Sequence, residues 1–172
     1  LTEAAHAADV LMLCVSDTAA VEAVVFGEQG LAAHAQAGAV LVDFSSIDPA
    51  ATRDFAARLA TEAGVRWVDV PVSGGVRGAE TGQLVMMAGG EAADGDALRP
   101  LLAVLGQRVT HMGTVGAGQV TKVCNQLIVA ANSVLIAEAI TLAEAAGVDA
   151  SRLAPALAGG FADSLPLQIL AP

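Results

Sequence analysis

Lys122 is the only lysine among 172 residues, and it lies in the least polar stretch of the chain. No charged residue occurs from Gly113 to Thr121 or from Val123 to Ala137. An ammonium flanked by Val120, Val123, Leu127 and Ile128 loses hydration, which favours the neutral amine and lowers its pKa. Such a lysine suits proton transfer or the binding of an anionic group. The plainer alternative is a buried lysine satisfied by a carbonyl or carboxylate. Asn125 and Gln126 follow at i+3 and i+4, so a helix would place both amides on the face of Lys122. A lysine beside an amide can hold a substrate oxygen and pass it a proton.

A second constellation runs from Asp69 to Gly82, DVPVSGGVRGAETG. It reads as the end of a strand followed by a glycine-rich loop, the place where open α/β sheets bind ligands. Ser73 offers a hydroxyl, and Gly74 and Gly75 let a ligand approach their backbone N–H groups, an arrangement suited to a small carboxylate. An isolated Ser-Gly-Gly is more often simply a turn. Gly116-Ala117-Gly118 resembles half of a dinucleotide fingerprint, but the third glycine would fall at Thr121 and a long helix follows, so a phosphate loop is rejected there. Those glycines are expected instead to let the helix N-terminus pack closely on the sheet.

The remaining candidates are structural by default. His6, His34 and His111 have no metal-like spacing, so no metal site is expected. Asp17, Asp43 and Asp69 end or follow strands, where orienting a loop and taking part in catalysis are equally open. Met86 and Met87 read as core. Cys14 and Cys124 sit in apolar contexts and read as small buried hydrophobes.

These residues need elements to position them. Asp9–Ser16, Ala39–Phe44, Val65–Val70, Gln83–Ala88 and Arg108–Met112 read as strands. Helices are expected over Thr18–Phe26 (with Val21, Val24 and Val25 inward), from Pro49 to about Ala63 (with Phe55, Ala56, Leu59 and Ala60 inward), and over Asp96–Leu105. Apolar strands alternating with helices predict a parallel sheet covered on both faces. From Gly118 one long helix should reach about Ala146, capped by Gly147, with another helix from Ala150 to Ala158. The polar interruptions Asn125, Gln126, Asn132 and Ser133 make the uncharged run a buried helix rather than a membrane span. The reading is therefore α/β: an incomplete Rossmann-type parallel-sheet domain over 1–112, then the start of an all-α domain over 113–172.

The formal charge of −10 argues against nucleic acid and anionic membranes as partners. It leaves room for a phosphate-bearing cofactor, because backbone amides can hold phosphates. No signal peptide is evident, and a reduced, cytoplasmic setting is expected.

Taken together, DVPVSGG at 69–75 and GAGQVTKVCNQ at 116–126 resemble the β-hydroxyacid dehydrogenase family, and the similarity extends to Asp9–Gly30, VDFSSIDP at 42–49 and GGFADS at 159–164. The resemblance implies hydride transfer between NAD or NADP and a short 3-hydroxy acid or its semialdehyde. Lys122 would be the catalytic acid/base. Ser73, Gly74, Gly75, Asn125 and Gln126 would bind substrate, while Val15, Ser16 and Ser46 would line the nicotinamide side of the cofactor. The family usually has Leu-Pro where this chain has Val15-Ser16, and many members have Asn where Gln126 stands. The resemblance further implies a homodimer or homotetramer, and it makes this chain the middle of a longer enzyme whose phosphate-binding loop lies upstream. The alternatives are an imine reductase on the same scaffold, for which a lysine at 122 is atypical, or a non-catalytic cofactor-binding relative.

Overall fold

The computed structural model describes residues 2–171. Residues up to Lys122 form one compact unit and those from Val123 onward form a second. In the first unit the elements run α1 (Thr2–Ala7), β1 (Val10–Leu13), α2 (Thr18–Phe26), β2 (Val40–Asp43), α3 (Pro49–Ala63), β3 (Arg66–Asp69), β4 (Val72–Ser73), α4 (Gly75–Glu80), β5 (Leu84–Gly89), α5 (Ala92–Leu105) and β6 (Gly106–Gly113). The long α6 (Ala117–Ala145) begins in this unit.

Local chemistry sets the helix ends. The Asp17 carboxylate accepts the Ala20 N–H at the start of α2, and Asp48 accepts those of Ala50 and Ala51 at the start of α3, where Pro49 takes the first turn. Gly64 closes α3 at φ 66°, a left-handed position that favours glycine. The inward stripe of α3 is Thr52, Phe55, Ala56 and Leu59, at i, i+3, i+4 and i+7. Ala60 is exposed and Thr52 is buried, a one-turn correction to the expected face. Thr52 is tolerated there because its hydroxyl donates to the Asp48 carbonyl at 3.0 Å.

The six-stranded sheet has the order β1-β2-β3-β5-β4, with β6 also paired to β5. The pairs β1–β2, β2–β3 and β5–β6 are parallel, whereas β5 runs antiparallel to both β3 and β4. The expected parallel-dominated α/β sheet is present, with β5 antiparallel to β3 and β4. The reversal occurs between Pro71 and Gly82, where the chain forms the short β4 and α4 instead of the expected loop.

Alternation along the strands sends side chains to two cores. Leu11, Leu41 and Trp67 align across β1, β2 and β3 and join Val21, Val25 and Leu59 of α2 and α3. Val40, Val42, Val68, Met86 and Ala88 face the other way, against Leu98 and Leu102 of α5. Both faces are covered, and each fully buried Leu or Val contributes roughly 1.5–3 kcal/mol. Met86 and Met87 are core as expected. The next rung toward the strand ends is Leu13–Asp43–Asp69, so the apolar sheet finishes in two adjacent buried carboxyl groups.

The second unit holds the rest of α6, a 3-10 turn at Ala150–Arg152, α7 (Leu153–Leu157) and α8 (Leu165–Leu170). Leu135, Ala139 and Leu142 of α6 line an apolar groove with Leu153 of α7 and Leu167 of α8. The helix as a whole is not buried: Val123, Leu127, Ile128, Val134, Leu135 and Leu142 are 54–72 % exposed. At 29 residues, with mean hydropathy 1.7 over its most apolar window, it is long and apolar enough by length and composition to cross a membrane. Asn125, Gln126, Asn132 and Ser133 interrupt the apolar run without interrupting the helix, which has the expected length but is exposed where a buried helix was expected.

Candidate active site

Asp69 closes β3 and is fully buried. Its carboxylate accepts the Gly116 N–H at 2.7 Å and the Gln119 N–H at 2.8 Å, taking up two of the unpaired donors at the start of α6. The positive end of the helix also favours an anion there. Burial pushes the Asp69 carboxyl up, and the N–H groups of Gly116 and Gln119 oppose that rise. Glycine makes this approach possible. A Cβ on Gly118 would collide with the Met87 carbonyl and lie 2.7 Å from Asp69 Oδ2; one on Gly89 would lie 2.5 Å from Asp69 Oδ1. The expected close packing of the helix start on the sheet is therefore present, with Asp69 as its anchor.

One turn further, Lys122 is half-buried and its Nζ donates to the Val72 carbonyl at 2.7 Å. Burial lowers its pKa, as the sequence suggested. The cause differs from the expected one, because Val120, Val123, Leu127 and Ile128 are 42–69 % exposed and cannot desolvate it. The ammonium is instead held at β4, one residue before Ser73. Ser73 is half-buried in β4, paired with Val85. Gly74 and Gly75 have φ of 128° and 59°, and a Cβ on Gly75 would meet nothing within 4 Å, so its backbone faces open space. The sequence left this glycine-rich stretch as a loop. It forms α4 instead, with Gly78 buried so closely against β5 that a Cβ there would lie 3.3 Å from Leu84 Cδ2.

Val15, Ser16 and Ser46 lie just beyond the carboxyl ends of β1 and β2. Val15 donates its N–H to Ser45 Oγ at 2.9 Å, and exposed Ser16 donates its hydroxyl to Asp17 at 2.8 Å. Ser46 is exposed beside buried Ser45. The first unit thus holds Val15, Ser16 and Ser46 after β1 and β2, Ser73 in β4, Gly74 and Gly75 at the start of α4, and Lys122 on α6 bonded to β4. Asn125 and Gln126 belong to the second unit, half-buried and exposed respectively, further along α6.

Sequence reasoning missed Ser45 and Gln119. Gln119 is 1 % exposed; its Nε2 donates to the Ser45 carbonyl at 2.8 Å and its Oε1 accepts the Ile47 N–H at 3.2 Å. The available signal is spacing, since Gln119 stands at i−3 from Lys122 and so shares its helix face. Cys14 and Cys124 are free and exposed, not buried: Cys14 lies past the end of β1 and Cys124 on the uncovered part of α6. His111 Nε2 lies 2.9 Å from the Gly90 carbonyl. Among the described residues no three His, Cys, Asp or Glu side chains cluster to hold a metal.

Asp43, beside Asp69, accepts the Ser45 N–H at 2.9 Å with one oxygen, while the other has no partner among the described residues. Burial raises its pKa from 3.8 to about 6, with the neighbouring Asp69 charge adding to the rise. Because the folded value is the higher, this stabilisation is full below the unfolded pKa and is lost as pH rises through about 6. The loss amounts to about 3 kcal/mol. Urea midpoints should therefore fall between about pH 4 and pH 7, and the fall should be smaller in Asp43→Asn; an equal fall in both proteins would refute the assignment.

Residues 1–113 match the family model described as the NAD-binding domain of 6-phosphogluconate dehydrogenase. Residues 116–172 match that described as NAD-binding of NADP-dependent 3-hydroxyisobutyrate dehydrogenase. The chain is 43 % identical over 164 residues to 2-hydroxy-3-oxopropionate reductase of Escherichia coli K12, covering 95 % of this chain and 56 % of that protein. Its structure superposes on Mycobacterium tuberculosis 3-hydroxyisobutyrate dehydrogenase, solved with L-serine, with a TM-score of 0.89 at 31 % identity, covering 98 % of this chain and 56 % of the other. A Streptomyces aurantiacus imine reductase superposes with a TM-score of 0.74 at 25 % identity, covering 91 % and 54 %. The chain spans about half the length of the curated relatives it matches.

Proposed function

The chain belongs to the β-hydroxyacid dehydrogenase family, and from that premise we propose an NAD- or NADP-dependent oxidoreductase that interconverts a short 3-hydroxy acid and its semialdehyde. The observation that carries this reading is Lys122 Nζ on the Val72 carbonyl, one residue before the Ser73-Gly74-Gly75 cradle. The α6 ammonium thereby stands at β4, next to the residues to which we assign carboxylate binding.

The nicotinamide, when bound, supplies or takes up the hydride. This chain's residues do the rest. The Ser73 hydroxyl and the backbone N–H groups of Gly74 and Gly75, the latter facing open space, bind the substrate carboxylate. Lys122 gives a proton to the nascent alkoxide in reduction and takes the hydroxyl proton in oxidation. Its lowered pKa brings the free amine within reach nearer neutrality. Asn125 and Gln126 are assigned to the substrate on helical spacing and family resemblance.

The residues at the ends of β1 and β2 fit the nicotinamide end of the cofactor. Ser16 and Ser46 present exposed hydroxyls, which suit a carboxamide or ribose, and half-buried Val15 offers an apolar edge for the ring. In this reading residues 1–112 are the dinucleotide-binding part and residues 113–172 begin the all-α part. The exposed apolar residues of α6 support assembly as a homodimer or homotetramer. A cytoplasmic setting belongs to the same reading and fits two free cysteines. Lysine at 122 favours alcohol–aldehyde chemistry over imine reduction.

Offering 3-hydroxyisobutyrate, glycerate and L-threonate to the intact protein, with each cofactor in turn, should give reduced cofactor from at least one pair. Turnover of a cyclic imine with none of the three acids oxidised would overturn the reading.

A further inference from the structure

We infer that Gln119 is a positioning residue that locks the Phe44–Asp48 loop to the start of α6, so that Lys122 and the Val15 and Ser46 loops move as one body.

Three strand ends meet in a single hydrogen-bonded chain. The Val15 N–H, after β1, donates to Ser45 Oγ at 2.9 Å; the Ser45 N–H donates back to Asp43, at the end of β2, at 2.9 Å. The Ser45 carbonyl accepts from Gln119 Nε2 at 2.8 Å, and the Ile47 N–H donates to Gln119 Oε1 at 3.2 Å. The Gln119 N–H itself donates to Asp69, at the end of β3, at 2.8 Å. Gln119 therefore pairs its side chain with one backbone acceptor and one backbone donor of the same loop, as a neighbouring strand would.

Only an amide can do this. A carboxylate of the same length could accept from Ile47 but would face the Ser45 carbonyl without a proton to share. An aliphatic side chain would leave both loop groups unpaired in a site where Gln119 is 1 % exposed. Lys122 stands at i+3 from Gln119, so the bond that fixes the loop also fixes where the loop stands relative to the ammonium. Reactive groups need this kind of support, because positional error of an ångström costs large factors in rate.

The inference rests on the function proposed above, and two measurements separate the failure of one from the failure of the other. The first is amide hydrogen exchange in the unsubstituted protein without cofactor. The Ile47 N–H should exchange slowly and the Ser46 N–H quickly; an Ile47 N–H as fast as Ser46 overturns the role of Gln119, whatever the protein binds. The second is a fluorescence titration with NADH and NADPH on Gln119→Glu and Gln119→Met. Both variants should raise the Kd of the preferred cofactor about tenfold, the equivalent of about 1.4 kcal/mol, and lower kcat, while KM for the hydroxy acid stays within about twofold. Folded variants with the parent's cofactor Kd overturn the inference. If the variants do not fold, the Ile47 exchange in the parent decides it. A parent that shows slow Ile47 exchange but binds neither cofactor instead refutes the proposed function.

Discussion

Turnover of the Lys122→Ala protein is expected to fall about 10²- to 10⁴-fold, the range ordinarily lost with a general acid–base group. Cofactor affinity should change little, since the ammonium is bonded at β4 beside the Ser73 cradle and not at the β1 and β2 loops. The pH profile gives a sharper test. Oxidation needs the free amine, so its rate should fall as pH drops through the pKa of Lys122. Reduction needs the ammonium, so its rate should fall as pH rises through the same value. Burial places that value below the ordinary lysine range. Both limbs should vanish in Lys122→Ala. Near-normal turnover, or an unchanged pH profile, would remove Lys122 from the chemistry.

The second large effect is on stability. Asp69→Ala leaves the Gly116 and Gln119 N–H groups without their acceptor, opens a cavity at full burial, and removes the anion from the start of α6. Stranding buried donors costs about 1–3 kcal/mol each, so a loss of about 3–5 kcal/mol is expected, against a typical total of about 5–15 kcal/mol. The thermal midpoint, followed by circular dichroism, should drop by about 6–20 °C. Asp69→Asn should fall in between, because one amide oxygen can still accept while the new NH₂ faces a backbone donor. A midpoint for Asp69→Ala within about 2 °C of the parent would show that the carboxylate does not anchor the helix.

The pattern of what could be read from residues alone follows from locality. The bounds of α2 and α3 coincide with the expected Thr18–Phe26 and Pro49–Ala63, because their signals, Asp17, Asp48, Pro49 and Gly64, lie at the helix ends themselves. The short α4 is not legible in the sequence, since Gly75 and Gly78 argue against a helix, and the tight seat of Gly78 on Leu84 is a contact made only in the fold. Lys122 was singled out by composition, but its partner is a backbone carbonyl 50 residues upstream, which no spacing rule supplies. The same holds for Gln119, whose partners lie 72 and 74 residues away. Asp69 could have been an orienting or a catalytic carboxylate from its place at a strand end; its two backbone donors show it capping a helix. The cysteines were misjudged because an apolar neighbourhood in sequence is not cover in space: Cys14 and Cys124 each follow apolar residues yet stand exposed.

Trp67, two residues before Asp69 on the same strand face, is the chain's single tryptophan and is 3 % exposed. Its indole lies 6.4 Å from the Phe55 ring, and its N–H has no acceptor among the described residues. An indole in so dry a setting emits at short wavelength and shifts to the red when water reaches it. Because the second unit contains no such chromophore, the intrinsic fluorescence of the protein reports on the sheet alone. Its emission is thus an optical gauge of whether the platform beneath Asp69 and Lys122 is intact, readable without any label.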